Sequence, residues 1–172
     1  GLGDNQPVVR GSICAIHNGI ILNEEDVWEK IKVERKLKID SEVIVAIAEE
    51  HLAQGGKLSE LPDKILNLCR GTISCALVVP NMGKILLFSN NGSLYVGQGD
   101  TGVYFASESY PLTQIDCDDI QQIKEAFLID IPVSQKQLLV NDDSTRSQNL
   151  IPELKFNKSE DSLLVYQDIN IK

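Results

Sequence analysis

What this chain has little of narrows its chemistry first. Its 16 Lys and Arg stand against 25 Asp and Glu, a net charge of −9 with a pI near 4.7, so it offers no basic footprint for a phosphate backbone. Nucleic acid is therefore not an expected partner. It also has no apolar run of membrane length and no signal-like apolar segment behind its N-terminus. The expectation is a soluble, cytoplasmic protein with no membrane partner. Only two histidines, His17 and His51, accompany the four cysteines Cys14, Cys69, Cys75 and Cys117, and no pair of these cysteines has CxxC spacing. A zinc site and a disulfide framework are both poor readings, so buried free thiols in a reducing compartment are expected, with no metal and no cofactor.

What is present suits one domain. A chain of 172 residues can bury a sizeable core, and 42% hydrophobic with 24% charged residues is ordinary globular composition. Gly11 to His17 alternates apolar residues between two faces and reads as a strand, ending at the turn signal Asn18-Gly19. Asn23, followed by Glu24, Glu25 and Asp26, reads as an N-cap and an acidic first turn leading to Trp28. Val43, Ile44, Ile47, Ala48, His51 and Leu52 fall at helical spacing until Gly55-Gly56, and a second helix is expected from Ser59 to Cys69.

From Thr72 the period changes to two. Runs at 72–79, 84–89, 94–98 and 103–106 are separated by turn residues and predict an antiparallel meander, with a last strand near Ala126 to Ile131. Helices set between an N-terminal strand and an antiparallel block indicate an α+β layered domain over residues 1–133. Residues 134–172 turn polar and aperiodic and read as a linker, or the start of a following region, with one short apolar run at Leu163 to Tyr166.

Five segments carry a resemblance. "AIHNGIILNEEDVW" from Ala15, "DSEVI" from Asp40, "RGTISCALVV" from Arg70, "NNGSLYVGQGDTGVYFASE" from Asn90 and "IKEAFLIDIP" from Ile123 stand in the order and spacing found in class II glutamine amidotransferases. The chain is similar to the glucosamine-6-phosphate synthase type over about Asn5 to Val133. The resemblance implies an N-terminal nucleophile (Ntn) hydrolase fold, an α-β-β-α sandwich of antiparallel sheets. It implies as partners glutamine, which is hydrolysed to glutamate, and an acceptor domain or subunit, a sugar phosphate enzyme by the shape of the motifs, that takes the ammonia. Asparagine synthetase and phosphoribosyl amidotransferase share this glutaminase, and the acceptor is left open.

In that family an N-terminal cysteine attacks the amide while its own α-amine handles the proton. By residue-to-residue match, the Asn18 side-chain amide and the Gly19 N–H would hold the oxyanion, and Asp40 would bind the substrate α-ammonium. His17, the remaining residue of the His-Asn-Gly motif, is a candidate substrate-binding residue. The nucleophile, the strands behind it and an Arg-containing loop would lie upstream of Asn5, where this chain carries only "GLGD". The expectation is thus a domain missing its first strands and its nucleophile, inactive alone and able to self-associate through exposed sheet edges. A non-catalytic binding or regulatory module with the same fold is the second reading.

The plain readings stand beside these. Cys14 and His17 are three apart on a strand and point to opposite faces, so they form no catalytic pair, and Cys14 is expected to be a structural thiol. His17 is more simply a hydrogen-bonded packing residue, Asn18-Gly19 a turn, Asp40 a helix N-cap, and Asn91-Gly92 a hairpin turn.

Overall fold

The computed structural model describes residues 5–124, 126–131 and 167–169. The chain runs β1 (Val8–Arg10), β2 (Ile13–Ile21), α1 (Glu24–Trp28), α2 (Glu42–Ala53), α3 (Leu61–Leu68), β3 (Gly71–Val79) and β4 (Lys84–Ser89). It continues through β5 (Tyr95–Gly99), β6 (Gly102–Ala106), α4 (Ser109–Gln114), β7 (Asp118–Gln122), β8 (Ala126–Asp130) and β9 (Gln167–Ile169). Six strands form one sheet in the order β1-β2-β3-β4-β8-β9, and three form another in the order β6-β5-β7. Every pairing is antiparallel.

Alternation along the strands sends side chains into two separate cores. Ile73, Cys75, Leu77 and Val79 of β3 pack with Leu86 and Phe88 of β4 beneath Val43, Ile44, Ile47, Leu61 and Ile65 of the helices. Ala76, Leu87, Phe127 and Ile129 point the other way and meet Leu94 and Val96 from the small sheet. β3 and β4 are covered on both faces, which is why they read as near-continuous apolar runs. α4 lies against β5, β6 and β7 and completes an α-β-β-α order of layers.

The structure departs from the sequence expectations in four places. Asn18-Gly19 is not a turn: β2 runs on to Ile21, held in register with β3 from Cys14↔Val78 to Ile21↔Gly71. Asn23 is the N-cap of α1 through its carbonyl, which accepts the Val27 N–H, but its side chain makes no cap bond because it is used elsewhere, donating to Leu68 O at 3.0 Å and accepting from Arg70 N at 2.6 Å. The meander is divided between the two sheets. Asn90 ends the first hairpin by donating its N–H to Ile73 O and accepting the Ile73 N–H on its side chain, and the chain then crosses to the small sheet. β1, α4 and β7 were not expected. β7 is polar and exposed apart from Ile120, an edge strand recognisable only through its pairing with β5. The apolar run at Leu163 to Tyr166 lies outside the described residues, and Gln167–Ile169 pairs with β8.

Candidate active site

The C-terminal half of β2 brings the motif residues together, and strand alternation then separates them. His17 points toward α2 and is buried. Its Nε2 lies 3.2 Å from Thr72 O and its Nδ1 2.9 Å from Ser41 Oγ. A carbonyl can only accept, so the proton sits on Nε2, and Nδ1 and the Asp40 carboxylate, whose Oδ1 lies 3.2 Å from Ser41 Oγ, are the two acceptors for the single Ser41 proton. Burial pulls the His17 pKa below its ordinary value, opposed by the Thr72 carbonyl and by the charge of Asp40. Buried and within hydrogen-bond distance of a partner at each ring nitrogen, His17 links β2, β3 and the start of α2.

Asn18 points to the opposite face and is exposed, and no described residue hydrogen-bonds its amide. Gly19 has φ +148°, and a Cβ there would lie 1.9 Å from Thr72 O, so only glycine fits where β3 approaches.

The outer edge of β2, turned away from β3, presents backbone groups in sequence. The His17 N–H donates to Gln6 Oε1 at 2.6 Å and the Ile21 N–H donates to Asp40 Oδ2 at 2.8 Å. The two-residue period turns the Gly19 N–H to the same edge, and no described side chain accepts from it. A single donor without a side-chain partner therefore sits between two satisfied ones, beside the exposed amide of Asn18.

Asp40 does not cap α2 with its side chain. The helix begins at Glu42 after Ser41, Asp40 contributes only its carbonyl to the Val43 N–H, and its carboxylate is held by Ile21. It opens on a cleft of about 530 Å³ lined by Ile20 to Asp26, Lys38 and Asp40. Arg35 draws Glu24 and Glu25 of that rim into ion pairs at 3.1 and 2.7 Å and stacks 5.8 Å from the Trp28 ring centroid. Among the described residues no three His, Cys, Asp or Glu side chains converge as metal ligands.

None of the four cysteines belongs to this constellation. Burial raises the Cys14 pKa, pushes Cys69 up to about 12 and raises Cys75 further, with a contribution from Cys14. These are protonated thiols, poor nucleophiles at neutral pH. Cys117 packs against Gly97 and Gly99 of β5.

Two antiparallel sheets face to face between helical layers, with a solvent-facing Asn-Gly in the C-terminal half of β2, define an Ntn amidotransferase fold. The chain belongs to the family described as "Glutamine amidotransferase domain", which it matches over residues 2–114. It is 29% identical over 122 residues to a glutamine–fructose-6-phosphate aminotransferase (isomerizing) of Bacillus subtilis, covering 69% of this chain and 20% of that one. The corresponding protein of Chlamydia muridarum is 28% identical over 141 residues, 80% of this chain and 23% of its own. The chain thus spans about a fifth of the length of these relatives. Among solved structures, glutamine phosphoribosylpyrophosphate amidotransferase from B. subtilis, complexed with ADP and GMP, superimposes with a TM-score of 0.63 at 15% identity, over 75% of this chain and 30% of that one. A structure titled as the allosteric regulatory enzyme of purine biosynthesis gives 0.60 at 16% identity, over 75% and 29%.

No helix among the described residues is long and apolar enough to cross a membrane. Sequence reasoning named Asn18, Gly19, Asp40 and His17, and they gather around one end of β2. It missed Gln6, whose side-chain amide brackets the His17 backbone in both directions, and the serine pair Ser74 and Ser89 beneath Asn91. Neither has a signal in a single sequence, because both depend on cross-strand register.

Proposed function

We propose that this chain is the glutaminase part of a glutamine-dependent amidotransferase, acting in a cytoplasmic protein that passes ammonia to a sugar phosphate site. The observation that carries the reading is the geometry at the end of β2. Asn18 and Gly19 offer two donors, as an oxyanion hole requires, while the Asp40 carboxylate lies across the same strand, fixed through Ile21. In this reading Asp40 binds the substrate α-ammonium, Asn18 and Gly19 stabilise the oxyanion of the reacting amide, and His17 holds the strand and Ser41 in place. Losing one such donor costs about a hundred- to a thousandfold in turnover.

The reading needs a nucleophile that the four cysteines do not supply, since three carry raised pKa values and the fourth packs against β5. The same observation favours a second reading, a module that binds glutamine without turning it over. Both readings require the amino acid to bind, and Asp40→Asn tests that directly. The substitution keeps an oxygen for the Ile21 N–H and removes the charge together with the second acceptor, which faces Ser41. Titration calorimetry with L-glutamine is expected to show affinity reduced by roughly tenfold or more in the variant. Equal affinity in the two proteins, or no binding by the wild type, overturns the assignment. Release of glutamate by the wild type would separate the enzyme from the module.

A further inference from the structure

The Asn-Asn-Gly after β4 reads in sequence as turn punctuation, yet its second asparagine is held more firmly than a turn requires. Asn91 Oδ1 accepts from Ser74 Oγ at 2.7 Å, Ser89 Oγ at 2.9 Å and the Ser93 N–H at 3.1 Å. A backbone N–H can only donate, so the atom that meets Ser93 is the amide oxygen and the orientation of the amide is chemically determined. The two serine oxygens are buried and lie 2.8 Å apart, so the Asn91 oxygen is the acceptor that lets both hydroxyls donate at once. The Asn91 NH2 has no partner among the described residues and Asn91 is exposed.

Register places this group. Ser74 stands directly opposite Asn18 across β2 and β3, and directly opposite Ser89 across β3 and β4. Neighbouring strands lie about 4.8 Å apart, so the oxygen held by Ser74 is one strand over from Asn18 on the same sheet face. Two carboxamides with unpaired donors therefore flank one buried serine. Asp40 lies on the far edge of β2, so a ligand with its ammonium there would extend its other end toward Asn18 and Asn91.

We infer that Asn91 is a second substrate-positioning donor, its NH2 directed at the carboxamide end of the amino acid that Asn18 addresses. The inference rests on the glutamine-site reading above. The serine pair restrains the amide so that little rotamer freedom is lost when it donates. Asn91→Asp removes the donor while keeping the oxygen with its three partners, and it puts a charged oxygen in place of the NH2.

The test is a ¹⁵N-resolved NMR titration of the full chain with L-glutamine, following the side-chain amide pairs of Asn18 and Asn91, each assigned by its loss in the Asp variant. Both pairs are expected to shift along the same saturation curve. Asn91→Asp is expected to weaken glutamine binding roughly five- to tenfold while leaving the melting temperature unchanged. If the Asn18 pair shifts and the Asn91 pair does not, Asn91 is only the satisfier of two buried hydroxyls and the inference is overturned, with the glutamine site intact. If neither pair moves, the glutamine reading fails and this inference fails with it.

Discussion

At the scale of single residues, Gly19 shows how one position can be both legible and misread. Asn-Gly is a turn signal, but the glycine is needed because the backbone of β3 occupies the space of a side chain: a Cβ would lie 1.9 Å from Thr72 O and 2.7 Å from the carbonyl carbon. Gly71 meets the same constraint from the other strand, where a Cβ would lie 2.0 Å from Ile20 O, so two glycines let β2 and β3 close up beside the candidate site. Gly19→Ala is expected to destabilise the fold by about 3 kcal/mol, from the positive φ together with a backbone overlap that no rotamer relieves. Gly55→Ala, at φ +80° with nothing within 4 Å, is the control and is expected to lose about 1 kcal/mol. Urea unfolding of both variants checks this, and equal losses would show that β3 gives way.

At the scale of elements, the segment Asp40 to Ile44 carries more than a helix start. Glu42, wholly buried, accepts from Arg10 Nη1 at 2.5 Å, Lys36 N at 3.0 Å and Leu37 N at 2.8 Å. Arg10 also reaches Glu49 at 2.8 Å and Glu34 O at 2.9 Å. Burial pulls the Arg10 pKa down, and its hydrogen bonds to Glu49 and Glu42 outweigh that and raise it. One carboxylate thus ties β1, α2 and the connecting loop, and it orients the helix start from which Asp40 and Ser41 reach β2. Glu42→Gln leaves a buried guanidinium short of its charge partner and is expected to cost about 3 kcal/mol. Arg10→Met is expected to cost less in that background than in the wild type. Additive losses in a double-mutant cycle would show that the two side chains act independently.

Periodicity made α2 and the strand pair β3 and β4 readable, because their burial is continuous and their caps and turns are local. It could not show that β4 and β5 belong to different sheets. That crossing is decided by Asn90 closing against Ile73, two residues 17 apart in sequence. The short polar elements α4 and β7 have no apolar stripe to announce them and exist through their packing on β5.

At the scale of the whole molecule, the two sheets are unequal. The small sheet covers the inner face of β3, β4 and β8 and leaves the same face of β1 and β2 open. Val9, Ile16 and Ile20 lie on that face at 56, 45 and 54% exposure, in line with Cys14 and Asn18. An apolar strip beside a sheet edge is a template for association. The chain alone is therefore expected to sediment as a dimer or larger species at micromolar concentration, and Ile16→Thr with Ile20→Thr to shift it toward monomer. Analytical ultracentrifugation checks this, and a monomeric wild type would show that the strip is tolerated in water.

The sequence by itself determined the family and the α+β class, and it singled out His17, Asn18, Gly19 and Asp40 as the candidates. Those depend on ordered local motifs and on a hydrophobic period that physics ties to one kind of element. Only the tertiary structure decided that His17 turns inward while Asn18 turns out, that Asp40 serves a strand rather than a helix, and that Asn91 stands beside Asn18. Each of those is a matter of which strand lies next to which and in what register, and a shift of one residue would send every one of these side chains to the other face.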